Sequence, residues 1–446
     1  MTQPTHSLTH SLTHSLTSAL TALTLPDSLT TIGEKAFFGC DDLTTLTLPD
    51  SLTTIGAQAF KSCRALTALT LPNSLTTTGE CTFCECAGLT TLTLPESLTT
   101  IGDGVFYNCY GLTALTLPDS LTTIGDGAFC DCIGLITLTL PDSLATIGEK
   151  AFYCCSGLTA LTLPDSLTTI DDETFHGCSD LTALTFPDSL TAVGKYAFRY
   201  CLRLTSLALP DSLTTVGRGA FDCCRNLTAL TLPDSLTTTG ECTFLDCDGI
   251  TTLTLPDSLT TIGEKAFFGC IGLTALTLPD SLTTIGDGAF HTCSGLTALT
   301  LPDSVTTIGE EAFWECAGLT TLTLPDQLTT IGGHSFRGCS GLTSLTLPHK
   351  LTNVGQFAFL DCPVLISVIF RPPVSRGAFI AWSVGNSRNR VNWQLTTLKR
   401  LRNVLRLITA FALERRDVVS IDPDGGKNVF NVYPPLSPCE YLLLVT

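Results

Sequence analysis

Charge is scarce in this chain. Of its 446 residues only 14% are Asp, Glu, Lys or Arg, against 44% hydrophobic, a balance that excludes an intrinsically disordered polymer. Long apolar runs are missing as well. Nothing reaches the roughly 18 consecutive residues of a membrane-spanning helix, and residues 1–18 carry neither a basic leader nor the apolar stretch of a secretory signal. No transmembrane segment is therefore expected, and the cytoplasm is the default location. The P-loop, the dinucleotide-binding G-x-G-x-x-G and the G-x-S-x-G elbow are all absent. The histidines inside the repeated region, His176, His291, His334 and His349, fall at scattered places, with no evident Ser or Cys nucleophile and orienting acid beside them. Neither enzyme activity nor a cofactor is expected.

What charge there is lies unevenly. Before Arg371 there are 12 basic and 36 acidic residues; from Arg371 onward there are 11 and 5. The larger part is strongly acidic and repels phosphate backbones, so nucleic acid is not expected as its partner.

Proline supplies the organising signal. It stands at 26, 49, 72, 95, 118, 141, 164, 187, 210, 233, 256, 279, 302, 325 and 348, every step being 23 residues. Around each lies L-x-x-L-x-L-P-D-S-L-x-x-I-G-x-x-A-F-x-x-C, first as Leu20, Leu23, Leu25, Pro26, Asp27, Ser28, Leu29, Ile32, Gly33, Ala36, Phe37 and Cys40. All 15 copies keep the Phe and the Cys, which places both in one shared core. Leu23 and Leu25 alternate with Thr24, the period of a half-buried strand that Pro26 then ends. Leu29 to Ile32 reads as a second extended piece, Gly33 as a turn that uses positive φ, and Ala36, Phe37 and Cys40 as one short helical turn. A single copy cannot bury these side chains alone; stacking can. Three segments follow: a low-complexity start over 1–18, one elongated solenoid of 15 repeats over 19–370, and a basic tail over 371–446.

From about Leu20 to Phe370 this pattern resembles the BspA-like type of leucine-rich repeat. The resemblance implies an α/β repeat, a right-handed solenoid with a parallel sheet on one side, and a role in adhesion or protein binding rather than catalysis. It also supplies the extracellular surface as an alternative location.

Duplication is visible inside the array. LTTIGEKAFFGC occurs at 29–40 and 259–270, and TTTGECTF begins at Thr76 and again at Thr237. A surface built this way favours many similar contacts over one tailored pocket. The reading is thus a non-catalytic, monomeric scaffold for a protein or glycan partner, with an ice- or cation-binding repetitive surface as the alternative.

Two columns are the candidate contact surfaces. Thr fills the outward strand slot in 14 of 15 copies, here represented by Thr24, Thr47, Thr70, Thr93 and Thr116. Ice binding would want T-x-T on neighbouring coils, which never occurs, because the paired slot is Thr only at 45, 91, 137, 252 and 321. Asp follows the proline in 12 copies, among them Asp119, Asp142 and Asp165. It offers either an acidic edge to a basic partner or a turn in which each carboxylate takes the amide two residues on.

The 15 repeat cysteines read as small buried hydrophobes rather than disulfides, and the C-x-x-C at Cys81 and Cys84 lacks the second ligand pair a zinc site needs. His6, His10 and His14 step by four as a coding repeat would, so no metal site is expected. In the tail, Leu398, Leu401, Leu405 and Ile408 make the apolar stripe of a helix, with Lys399, Arg402 and Arg406 along another face. That helix is expected to cap the last coil or to dock an acidic partner or a membrane surface.

Overall fold

The computed structural model describes residues 6–8, 20–365 and 367–370. Over them the chain winds as a parallel-sheet solenoid whose coils pair at a 23-residue offset, as in Leu23 with Leu46 and Leu253 with Leu276. Most coils lay down two short strands. The first is three residues long in most coils, as in Thr45–Thr47, Ala68–Thr70 and Thr91–Thr93, and points its middle Leu inward between two exposed residues. After the proline, the Leu29 amide donates to the Pro26 carbonyl at 2.9 Å and turns the chain. The second strand follows, as in Thr54–Ile55 and Thr100–Ile101. Its longest continuous sheet has five strands, from Thr261–Ile262 to Asn353–Val354. The strand His6–Leu8 pairs parallel with Leu29–Ile32.

The second row of strands breaks at three places, and at two of them the sequence says why. At Thr78 and Thr239, threonine replaces the buried Ile of the repeat. In most other coils the following coil's Gly amide donates to the backbone carbonyl of the Ile or Val at this place, as Gly56 does to Ile32 at 2.9 Å. Here Gly102 and Gly263 donate instead to the Thr78 and Thr239 hydroxyls, at 3.1 and 2.8 Å. Pairing shrinks to single bridges, Thr77 to Thr100 and Thr238 to Thr261.

Between the two sheets and the third side lies a dry core. The repeat phenylalanines form one unbroken stack from Phe37 to Phe359, with ring centroids 5.1–5.8 Å apart and planes within 15°. Each such pair contributes about 0.5–1.5 kcal/mol beyond the area it buries. The repeat cysteines are free thiols. Each from Cys63 to Cys362 donates its S–H to the carbonyl of the Phe 26 residues earlier, at 3.2–3.6 Å. They are therefore buried hydrophobes, as expected, and also inter-coil donors.

The third side corrects two expectations. No helix occurs among the described residues, so the α/β description gives way to β-strands and turns. From Gly33 to Cys40 the amides of Lys35, Phe37 and Gly39 reach across to the Ala57, Ala59 and Lys61 carbonyls at 3.0, 2.8 and 2.9 Å, while those of Ala36 and Phe38 bond within their own coil. An α-helix would aim all of them along its own axis. The backbone achieves the alternation with positive φ at the Lys35 and Gly39 positions of every coil, and every described residue with positive φ sits in one of those two slots. Gly33 and its equivalents do not. Their slot demands glycine because neighbouring coils touch there: a Cβ on Gly217 would lie 2.6 Å from the Gly194 carbonyl carbon. Asp171, the one exception in this slot, stays exposed. The helical cap expected in 371–446 lies outside the described residues.

Two substitutions test this architecture. Phe198→Ala, which empties a fully buried place between Phe175 and Phe221, is expected to cost about 3–5 kcal/mol in urea unfolding. Phe38→Ala, at a residue 43% exposed, should cost well under 1 kcal/mol; equal costs would refute the stack as the core. Gly217→Ala is expected to cost about 1–3 kcal/mol from overpacking, and a neutral result would show that the coils are not in backbone contact at that slot.

Candidate interaction surface

Thr24, Thr47, Thr70, Thr93 and Thr116 are all exposed, and adjacent members sit in register, Thr24 beside Thr47 and Thr70 beside Thr93. Their hydroxyls have no hydrogen bond within the described residues. Other threonines are committed to the fold. Thr44 and Thr90 donate to the backbone carbonyls of Thr21 and Thr67 at 2.8 and 3.1 Å, and Thr53 and Thr122 to those of Thr30 and Thr99 at 3.2 and 3.1 Å. Sequence alone did not separate the two kinds, because threonine is equally frequent in both; the separation comes from which side chains lie over a carbonyl of the coil before.

Asp119, Asp142 and Asp165 are exposed as well. Their carboxylates do not shape the turn by taking the amide two residues on. That amide, from Leu121, Leu144 or Leu167, goes to the proline carbonyl at 3.0 Å. The neighbouring serine fixes the turn to the coil before, with Ser120, Ser143 and Ser166 donating to Leu98, Leu121 and Leu144 carbonyls at 2.8, 2.7 and 2.6 Å. Asp119, Asp142 and Asp165 are thus left to solvent. In the second to fourth coils the Thr and acidic columns meet across a shallow open groove bounded by Thr47, Thr70 and Thr93 and by Asp50 and Glu96. Lys399, Arg402 and Arg406 lie outside the described residues.

A second surface escaped the sequence reading. The slots of Lys35, Phe38 and Gly39 have no consensus residue, and that lack of consensus is the signal that could have found them. Here Tyr153 stacks on His176 at 4.6 Å, and Phe268 on His291 at 4.5 Å. Arg199 lies over the Tyr196 and Tyr200 rings at 5.2 and 4.6 Å, and its Nε stands 2.7 Å from Asp222 Oδ2 in a close but bent ion pair. Trp314 continues the row between His291 and His334. These rings use their faces on one another, whereas Phe38 and Tyr110 remain exposed. Burial is the main influence lowering the His176 pKa, ahead of the opposing pull of Glu173 and the repulsion of Arg199. The buried repeat thiols, such as Cys155 and Cys178, are pushed far up by burial and are poor nucleophiles. The arrangement suits packing and contact, not proton transfer. Among the described residues no cluster of His, Cys, Asp and Glu is arranged to hold a metal, and no helix is long and apolar enough to cross a membrane.

Comparison with known proteins agrees with this architecture. None of the curated proteins matches the chain. Among solved structures, a leucine-rich repeat protein from Bacteroides ovatus ATCC 8483 is similar at 28% identity and a TM-score of 0.70, over 83% of this chain and 91% of its own. A leucine rich cell surface protein from Faecalibacterium prausnitzii A2-165 follows at 25% identity and 0.44, over 74% and 85%. The BspA type leucine rich repeat region, in blocks of six copies, matches residues 13–126, 99–218, 168–297 and 260–379. With its 23-residue coils, stacked phenylalanines and two parallel strand rows, the chain belongs to the BspA-type leucine-rich repeat family.

Proposed function

We propose that the chain is a non-catalytic scaffold that binds a basic protein partner along the edge where its Thr column and its Asp column run side by side. The observation that carries this reading is the pair of side-chain files left uncommitted by the fold: exposed threonines without a hydrogen bond among the described residues, beside exposed aspartates whose turn is closed by other groups. Such an edge attracts cationic side chains and speeds their encounter. A protein fits better than a glycan, because an acidic column calls for cationic side chains, which most glycans lack.

The test uses a lysine-rich peptide as probe and measures its affinity by surface plasmon resonance at low and at 0.5 M salt. The triple change Asp119→Asn, Asp142→Asn, Asp165→Asn leaves the fold intact, since Asn73 already occupies this slot in another coil. Binding is expected to weaken about tenfold, some 1.4 kcal/mol, and to lose part of its salt dependence. Unchanged affinity in the triple variant would sink the acidic edge. Thr70→Arg, placed in the groove, should reduce binding further; if it strengthens binding, the strand face lies outside the contact.

A further inference from the structure

We infer that Cys81 and Cys84 form a thiol–disulfide exchange site that takes low-molecular-weight disulfides. The two residues close one turn: the Cys84 amide donates to the Cys81 carbonyl at 3.2 Å. A hydrogen-bonded turn of this kind holds its end Cα atoms within about 7 Å, and disulfides span about 4.4–6.8 Å. The repeat cysteines, by contrast, spend their S–H groups on phenylalanine carbonyls deep in the core.

Access and order follow from position. Cys81 is partly exposed and Cys84 is 2% exposed, so Cys81 meets the incoming disulfide and Cys84 resolves it. Gly104 in the next coil keeps room for the sulfur, since a Cβ there would stand 2.9 Å from Cys81 Sγ. Lys61, paired with Glu85 at 3.5 Å, lies close enough to favour the thiolate of each. Burial works the other way, together with Glu80 and Asp103 beside Cys81 and Glu85 beside Cys84; it raises both thiols, Cys84 to about 12, so exchange should quicken as pH rises.

In the first step the Cys81 thiolate attacks RSSR, forming the mixed disulfide Cys81–S–S–R and releasing one thiolate, which takes up the proton Cys81 lost. In the second, the Cys84 thiolate attacks the Cys81 sulfur and expels the other RS⁻, which is protonated in turn. Two protein thiols are oxidised to one disulfide by two electrons, and RSSR is reduced to two RSH.

The chain contains its own control. The duplicated turn that begins at Cys242 has Leu245 where the first has Cys84, so Cys84→Leu is a change this fold already accepts. The full chain is incubated with glutathione disulfide, alkylated and mapped by mass spectrometry. The Cys81–Cys84 peptide should lose two hydrogens and carry no glutathione, with both thiols returned by dithiothreitol. Cys84→Leu should instead hold a stable glutathione adduct at Cys81. A wild-type peptide that keeps glutathione on Cys81, or one in which both thiols remain free for alkylation, would overturn the assignment.

Discussion

Twenty-three residues laid in a single loop leave their own leucines and phenylalanine uncovered on two sides, and only another loop of the same shape can cover them. The contact that enforces this is the ring-on-ring seat of each Phe, 5.1–5.8 Å from the next. Rings at that separation leave the backbones no freedom of spacing. The glycine opposite Ile, the thiol that reaches the previous Phe carbonyl and the serine that reaches the previous Leu carbonyl all read as consequences of that one distance.

Much of this was legible in the residues. Spacing gave the coil, alternation of Leu and Thr gave the first strand, and invariance of Phe37 and Cys40 along the array placed them inside. The third side was not legible, for a definite reason. Ala36, Phe37 and Cys40 have helical spacing, yet the amides between them pair with a neighbour that a local reading does not see. The same blindness produced the misreading of Gly33: glycine answers both to a left-handed backbone and to close approach, and only the adjacent coil tells them apart. Residues that do adopt positive φ here include Lys35, Tyr196 and Glu311, types that carry no turn signal.

The surfaces divide along similar lines. Where side chains repeat, they are either tied to the coil before, as with Thr44 and Ser51, or left uniformly to solvent, as with Thr47 and Asp50. Individuality is confined to the slots that face out from the turns, where Tyr153, His176, Arg199 and Trp314 stand, and where Cys81 and Cys84 also fall. The uniform face presents one repeated pattern, whereas the irregular face is the place where one stretch of the array differs from another. Legibility of the acidic column was half complete: its exposure followed from the sequence, but its freedom from the turn did not, because serine rather than aspartate holds that corner.

Constant register from coil to coil has a genetic corollary. Because Leu46 meets Leu23 in the way Leu276 meets Leu253, unequal crossing-over between two coils yields a seam like those already present. Gain or loss of whole coils is therefore structurally silent at the junction, while a frame slip of one or two residues would turn leucines outward. Array length is thereby free to change in integral steps of one coil, each step leaving the stack continuous.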